Sequence, residues 1–368
     1  MSIPIETSYK MFHTPISRIF KGDPLAHFLW KKNITPVRFG LLTFAYSLLY
    51  AFVLPTLFGI LPQALADWPT LVIVCVIAPI LYGYYVWEPF TIQALFDGVS
   101  ARVKTASYKQ EQVSRLTRPL GMRTWLFLAV FLGILQCVTF IYNLLSQPAS
   151  WQAHNWVMIA ALMPLRFLAF YVIVFIVIRQ LGTILGINRF MQILPVEVAP
   201  LHPDKAGGLR CLGYYVLTTA VMLGAVGLLF GMRIFRYQLG LESISFESSF
   251  ELALYVMVLP LFLFTPIWRA HQLMVAEREK IMMEVASRFE QQYNTSVANI
   301  RAGALAQEQV DEISALQKLY EIAEKAPTWP LNTEILSQFS AAVILPVIMP
   351  LILDLVGGIL RFALAFGQ

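Results

Sequence analysis

The residues of this 368-residue chain best placed to do chemistry are charges set in apolar sequence. Arg166 lies in ALMPLRFLAFYVIV and Asp354 in LPVIMPLILDLVGGIL. A charge at mid-bilayer costs at least about 2.5 to 3.5 kcal/mol, so such residues pair with one another or border an ion pathway. Their chemistry would be electrostatic: a guanidinium selecting anions, or a buried ion pair that holds two helices in register or opens with a conducting state. If the last apolar run ends early, Asp354 lies instead near an interface, with Arg361 snorkelling beside it. Pro346 and Pro350 precede Asp354, Pro164 precedes Arg166, and Pro260 and Pro266 interrupt a third run. Each proline removes a helical hydrogen bond and frees a carbonyl, and bent helices at that depth border protein or water rather than lipid.

A second candidate is LHPDKAGGL, with His202, Asp204, Lys205, Gly207 and Gly208. Three readings fit it. The first is a turn in which Asp204 accepts backbone N–H bonds while the glycines take positive φ. The second is an anion site, with Lys205 and the amides near Gly207 and Gly208 cradling a phosphate or carboxylate at a helix start. The third is a metal or proton site at His202 and Asp204, but two ligands without a neighbouring His or Cys cluster do not make a metal centre. HPD followed by a basic residue resembles the chaperone J-domain signature, yet the short connection between two apolar runs cannot hold that domain. HPDKAGGL is also similar to an H-P-D-x-x-G-G-L stretch preceding a membrane span in uncharacterised bacterial polytopic membrane proteins. That resemblance implies a polytopic fold and no particular activity.

Composition says what must position these residues. With 58% hydrophobic and 13% charged residues, the chain is an integral membrane protein rather than a soluble domain. A bilayer core about 30 Å thick takes about 20 helical residues. Seven runs fit: 39–61, 69–91, 124–145, 156–178, 211–232, 250–268 and 338–362. The first 38 residues are polar, basic and proline-interrupted, so no cleaved leader is expected. Lys and Arg crowd the segment 1–38 and the connections 92–123 and 179–210, whereas 62–68 and 146–155 have none. That asymmetry predicts a plasma (inner) membrane protein with its N-terminus cytoplasmic and C-terminus outside. The +5 net charge then reads as attraction to the inner leaflet, not to nucleic acid. Trp30, Trp68, Trp87, Trp151, Trp156 and Trp268 fall near span ends as interfacial anchors. Cys75, Cys137 and Cys211 read as packing residues.

Between the sixth and seventh runs lies a polar insert, 269–334, with a seventh span and short outer tail over 335–368. Ile281, Val285, Phe289, Tyr293, Val297 and Ile300 recur at helical spacing, and so do Val310, Ile313, Leu316, Tyr320 and Ala323. The break at RAGALAQ predicts a cytoplasmic helical hairpin ended by Pro327 and Pro330, packed internally or against another subunit. No nucleophile elbow, HExxH or phosphate loop is present, and no motif asks for a metal or cofactor. Glu88, in VWEPF, reads as a cap or a partner for the basic loop. The expectation is an all-α membrane transport protein: an oligomeric ion channel or pore gated through its cytoplasmic helices. The alternatives are a secondary transporter using Arg166 and Asp354, or a scaffold or sensor recruiting a protein partner or small-ligand signal through 269–334.

Overall fold

The computed structural model describes residues 22–103, 123–145, 150–199, 202–241, 246–301, 307–331 and 337. Among them every regular element is helical, apart from one antiparallel bridge between Val103 and Val196. We label the helices α1 (Pro24–Lys31), α2 (Pro36–Leu57), α3 (Leu61–Ala66), α4 (Trp68–Ser100), α5 (Arg123–Leu145), α6 (Trp156–Ile193), α7 (Arg210–Gln238), α8 (Phe246–Arg301) and α9 (Gln307–Glu324). Six of them, α2 and α4 to α8, are long and apolar enough to cross a membrane. The expected seventh span, with Pro346, Pro350 and Asp354, lies outside the described residues.

Local chemistry starts these helices where it should. Asp23 and Thr35 cap α1 and α2, each followed by proline at the first helical position, and Asn155 accepts the Met158 amide at 2.9 Å to start α6. Helices α2 and α4 each contain one wide turn, Leu49–Val53 and Ile73–Ile77, in which the next residue's amide bonds five residues back. Pro55 and Pro79 come just after, so each wide turn absorbs the clash and missing donor of a proline. Pro164 lies inside α6, where the helix meets α2 and α4. There the Ala161 carbonyl accepts from the Tyr46 hydroxyl at 2.8 Å, and the Leu165 carbonyl accepts from Tyr82 at 2.9 Å.

Three helices outrun the apolar runs that announced them. The expected ends at 91 and 178 are corrected to Ser100 and Ile193, while the sixth helix runs unbroken out of its apolar run to Arg301, as the helical spacing from Ile281 to Ile300 predicts. Pro89 does not stop α4, and buried polar side chains such as Gln93, Arg179, Gln180 and Thr183 continue the packed face past the end of apolarity. At 1.5 Å per residue α6 is about 57 Å long and α8 about 84 Å, both longer than a hydrocarbon core is thick.

Helices α4 and α7 sit at the centre, with 56% and 61% of their apolar windows buried, while α5 has 11% and packs chiefly on α6. Tyr82, Tyr85, Phe175, Val216, Ala220 and Phe262 belong to one continuous core. Helices α2 and α4 meet through a reciprocal pair of glycines. A Cβ on Gly40 would lie 3.2 Å from the Pro79 carbonyl oxygen, and one on Gly83 would lie 3.3 Å from that of Pro36. Small residues permit this approach, and dispersion between close backbones replaces the hydrophobic drive that lipid does not supply. Beyond the core, His271 of α8 stacks on Trp329 with ring centroids 3.9 Å apart, and Gln292 donates to Glu312 of α9.

Candidate functional site

Three charged side chains meet in the core where α1, α4 and α6 converge. Asp23 arrives as the N-cap of α1, Glu88 from the middle of α4, and Arg179 from α6 just past the apolar run FYVIVFIVI. Arg179 Nη2 donates to Asp23 Oδ2 at 2.6 Å, with both side chains 1% exposed, and its Nη1 lies 3.5 Å from Glu88 Oε2. Asp23 also accepts from the Tyr85 hydroxyl at 2.5 Å, the Tyr171 hydroxyl at 2.7 Å and the Ala26 amide at 3.2 Å. Arg179 Nη1 donates to the Tyr85 carbonyl at 3.1 Å, and its guanidinium lies 4.8 Å from the centre of the Tyr85 ring.

A second layer of polar groups extends this cluster across the bundle. Gln180 Nε2 donates to Glu88 Oε1 at 3.0 Å and to the Tyr84 hydroxyl at 2.8 Å, while its Oε1 accepts from Tyr215 at 2.6 Å and Thr219 at 3.2 Å. Every one of these side chains is buried. Buried charge in a low-dielectric core is retained only when paired and bonded, and this network bonds Asp23 with three side-chain donors at once. Two carboxyl groups thus share one guanidinium.

At the far end of α4 lies a smaller cluster, about 30 Å from Glu88 at 1.5 Å per residue. Asp67 accepts from the Trp151 indole at 3.0 Å and pairs with Arg236 at 3.1 Å. The two clusters are therefore about one hydrocarbon thickness apart.

Comparisons with protein-family models, with curated proteins and with solved structures return no match.

The HPD loop is built by its own carboxylate. Asp204 Oδ1 accepts from the Ala206 and Gly208 amides, each at 3.0 Å, and from His202 Nδ1 at 2.8 Å. The Arg102 guanidinium, which can only donate, lies 2.7 Å from His202 Nε2. That nitrogen is therefore the acceptor, and Nδ1 carries the proton given to Asp204. Burial pushes the Asp204 carboxyl up, but the two amides and the His202 ring outweigh it and hold the group below its ordinary range. Lys205, Gly207 and Gly208 all have positive φ, at 54°, 64° and 84°. A Cβ on Gly208 would stand 2.5 Å from Arg102 Cζ, so glycine is required there twice over. Arg102 Nε also donates to the Gly208 carbonyl at 3.2 Å, and the Glu197 amide donates to the Arg102 carbonyl at 2.9 Å. The loop thus stitches the connection before α7 to the end of α4. The amides an incoming anion would use at Ala206 and Gly208 are already bonded to Asp204.

The Arg166 guanidinium carbon lies 3.9 Å over the Phe140 ring of α5. Among the described residues no group of three or more His, Cys, Asp or Glu side chains is arranged to hold a metal ion.

Sequence reading missed Arg179 and Asp23 and placed Glu88 at a loop edge. The signal for Asp23 was the dipeptide Asp-Pro ahead of LAHFLW, an N-cap followed by proline at the first helical position. The signal for Arg179 was only that the helical pattern continued beyond it into Leu181, Ile184 and Leu185.

Proposed function

We propose that this chain is a pore-like membrane transport protein for small cations, closed by α1 through the attachment of Asp23 to Arg179. The observation that carries the reading is Asp23 itself: a carboxylate on a short helix outside the candidate spans, 1% exposed, and held by one guanidinium and two tyrosine hydroxyls. Charge explains how such a contact releases. With Asp23 seated, two carboxylates share Arg179; with Asp23 withdrawn into water, Glu88 and Arg179 remain as a matched pair. Neither arrangement leaves the buried guanidinium without a partner, and that gives a gating element two tolerable states. Two carboxyl groups set against a single guanidinium favour cations or protons over anions.

The seven-span topology, with its N-terminus cytoplasmic, C-terminus outside and final span over 338–362, belongs to this proposal and is supported by the distribution of Lys and Arg. So does the cytoplasmic hairpin of α8 and α9, for which the His271–Trp329 and Gln292–Glu312 contacts run in opposite sequence order. Val310, Leu319 and Ile322 of α9 stay exposed. They favour a second reading, in which the hairpin assembles copies of this chain or recruits a partner.

The test is conductance in planar bilayers. Asp23→Asn keeps the size and capping ability of the side chain but removes its charge, so cation conductance rises at least about tenfold over the parent, as a loss of about 1.4 kcal/mol from the closed state requires. A folded Asp23→Asn protein no more conductive than protein-free lipid would overturn the gate.

A further inference from the structure

A cavity of about 410 Å³ opens on the flank of the bundle between α6 and α8. Asn188 and Gln192 line it from α6, and Phe264, Trp268, Arg269 and Gln272 from α8. Asn188 Nδ2 is fixed by donating to the Thr265 carbonyl at 3.0 Å, and Arg269 Nη1 donates to Gln272 at 3.0 Å. Two buried atoms of these residues, Asn188 Oδ1 and Arg269 Nε, have no hydrogen-bond partner among the described residues. One is an acceptor and the other a charged donor. Buried polar groups are rarely left unsatisfied, and this complementary pair lies on the walls of one cavity.

The surroundings say what completes the pair. Leu181, Leu185, Asn188 and Gln192 follow one another at spacings of three or four along one face of α6, as do Leu261, Phe264, Trp268 and Gln272 along α8. Both faces change from apolar to polar with increasing residue number, and Leu181, Leu185, Leu261 and Phe264 are exposed. A ligand seated here meets an aliphatic wall on one side and a guanidinium, carboxamides and an indole on the other. Among the described residues no acidic side chain lines the cavity. Aliphatic chains joined to a phosphate match both halves, and an aromatic ring beside a cation is the usual furniture of the headgroup level.

We infer that this cavity is a binding site for an anionic glycerophospholipid: its phosphate on Arg269, a headgroup hydroxyl donating to Asn188 Oδ1, and an acyl chain along Leu185, Leu261 and Phe264. The site is separate from the Asp23–Arg179 cluster and does not rest on the gating proposal.

The test is native mass spectrometry of the full-length protein released from micelles supplemented with phosphatidylglycerol, phosphatidylcholine or inorganic phosphate. The parent retains phosphatidylglycerol in preference to phosphatidylcholine. Arg269→Gln lowers phosphatidylglycerol occupancy about fivefold, as expected for one interfacial cation, while Arg269→Lys keeps most of it. Asn188→Leu, which removes the acceptor and leaves the charge, lowers occupancy as well and serves where Arg269→Gln does not give a monodisperse protein. Equal retention of the two lipids by the parent, or full retention by a folded Arg269→Gln, overturns the site. Displacement of phosphatidylglycerol by an equal concentration of inorganic phosphate assigns it to a soluble anion and overturns the lipid.

Discussion

Replacing Arg179 with methionine tests the central cluster most directly. The side chain keeps its length and loses its charge, so Asp23 and Glu88 face each other in the core without the guanidinium that both now contact at 2.6 and 3.5 Å. Removing one partner of a buried, bonded ion pair costs about 3 to 5 kcal/mol, because the other charge stays behind uncompensated. The Tyr85 carbonyl also loses a donor. Asp23→Asn alone costs less, about 1 to 3 kcal/mol, since asparagine still caps α1 but can accept fewer of the three side-chain bonds. In the double variant Asp23 no longer brings a charge into the core, so the two losses do not add. Contacts this close couple by about 0.5 to 3 kcal/mol, and the separation of 2.6 Å places this pair at the upper end. The assay is unfolding in mixed micelles by titration with a denaturing detergent, followed by tryptophan fluorescence. An Arg179→Met protein within about 1 kcal/mol of the parent, or losses that simply add, would refute the reasoning.

Two further outcomes follow from the packing and the loop. Gly83→Leu forces α4 away from the Pro36 carbonyl, which a Cβ would approach to 3.3 Å. The same unfolding assay then shows a loss of about 1 to 3 kcal/mol, and an unchanged midpoint would mean that the two helices do not touch there. Asp204 should make the HPD loop acid-sensitive. A carboxyl held below its unfolded value stabilises the fold above that value, about 3.9, and the contribution disappears as pH falls through the folded value. Hydrogen exchange at the Ala206 and Gly208 amides should therefore lose protection below about pH 4 in the parent but not in Asp204→Asn. Equal protection profiles in the two proteins count against the carboxylate cap.

Much of the scaffold was legible because lipid imposes a simple rule. Apolar runs of sufficient length announced the six helices among the described residues that can cross a membrane, and their starts were placed within a few residues, since Thr35, Asn155 and the prolines at first helical positions mark them locally. Helix ends were less legible. Arg179 looks like the first cation of a polar loop, and only tertiary packing shows that α6 continues to Ile193 around it. The turn chemistry of Asp204 and its glycines is local and could be read, but the clamp from Arg102 could not, because it arrives from 100 residues away. For the same reason the core cluster was invisible. Asp23 sits in a basic, proline-rich segment whose composition indicates solvent; the Asp-Pro pair marks it as an N-cap but not as a carboxylate that folds back into the bundle.

The contact between Asp23 and Arg179 also dictates an order of events at the ribosome. Its partners are separated by 156 positions, and at about 5 to 20 residues per second the second appears about 8 to 30 seconds after the first. During that interval the aspartate waits in water, where its charge costs nothing, and α1 has no site to enter. Helix α1 is thus made before the site that receives it, docking only once the fourth hydrophobic segment has been threaded into the bilayer.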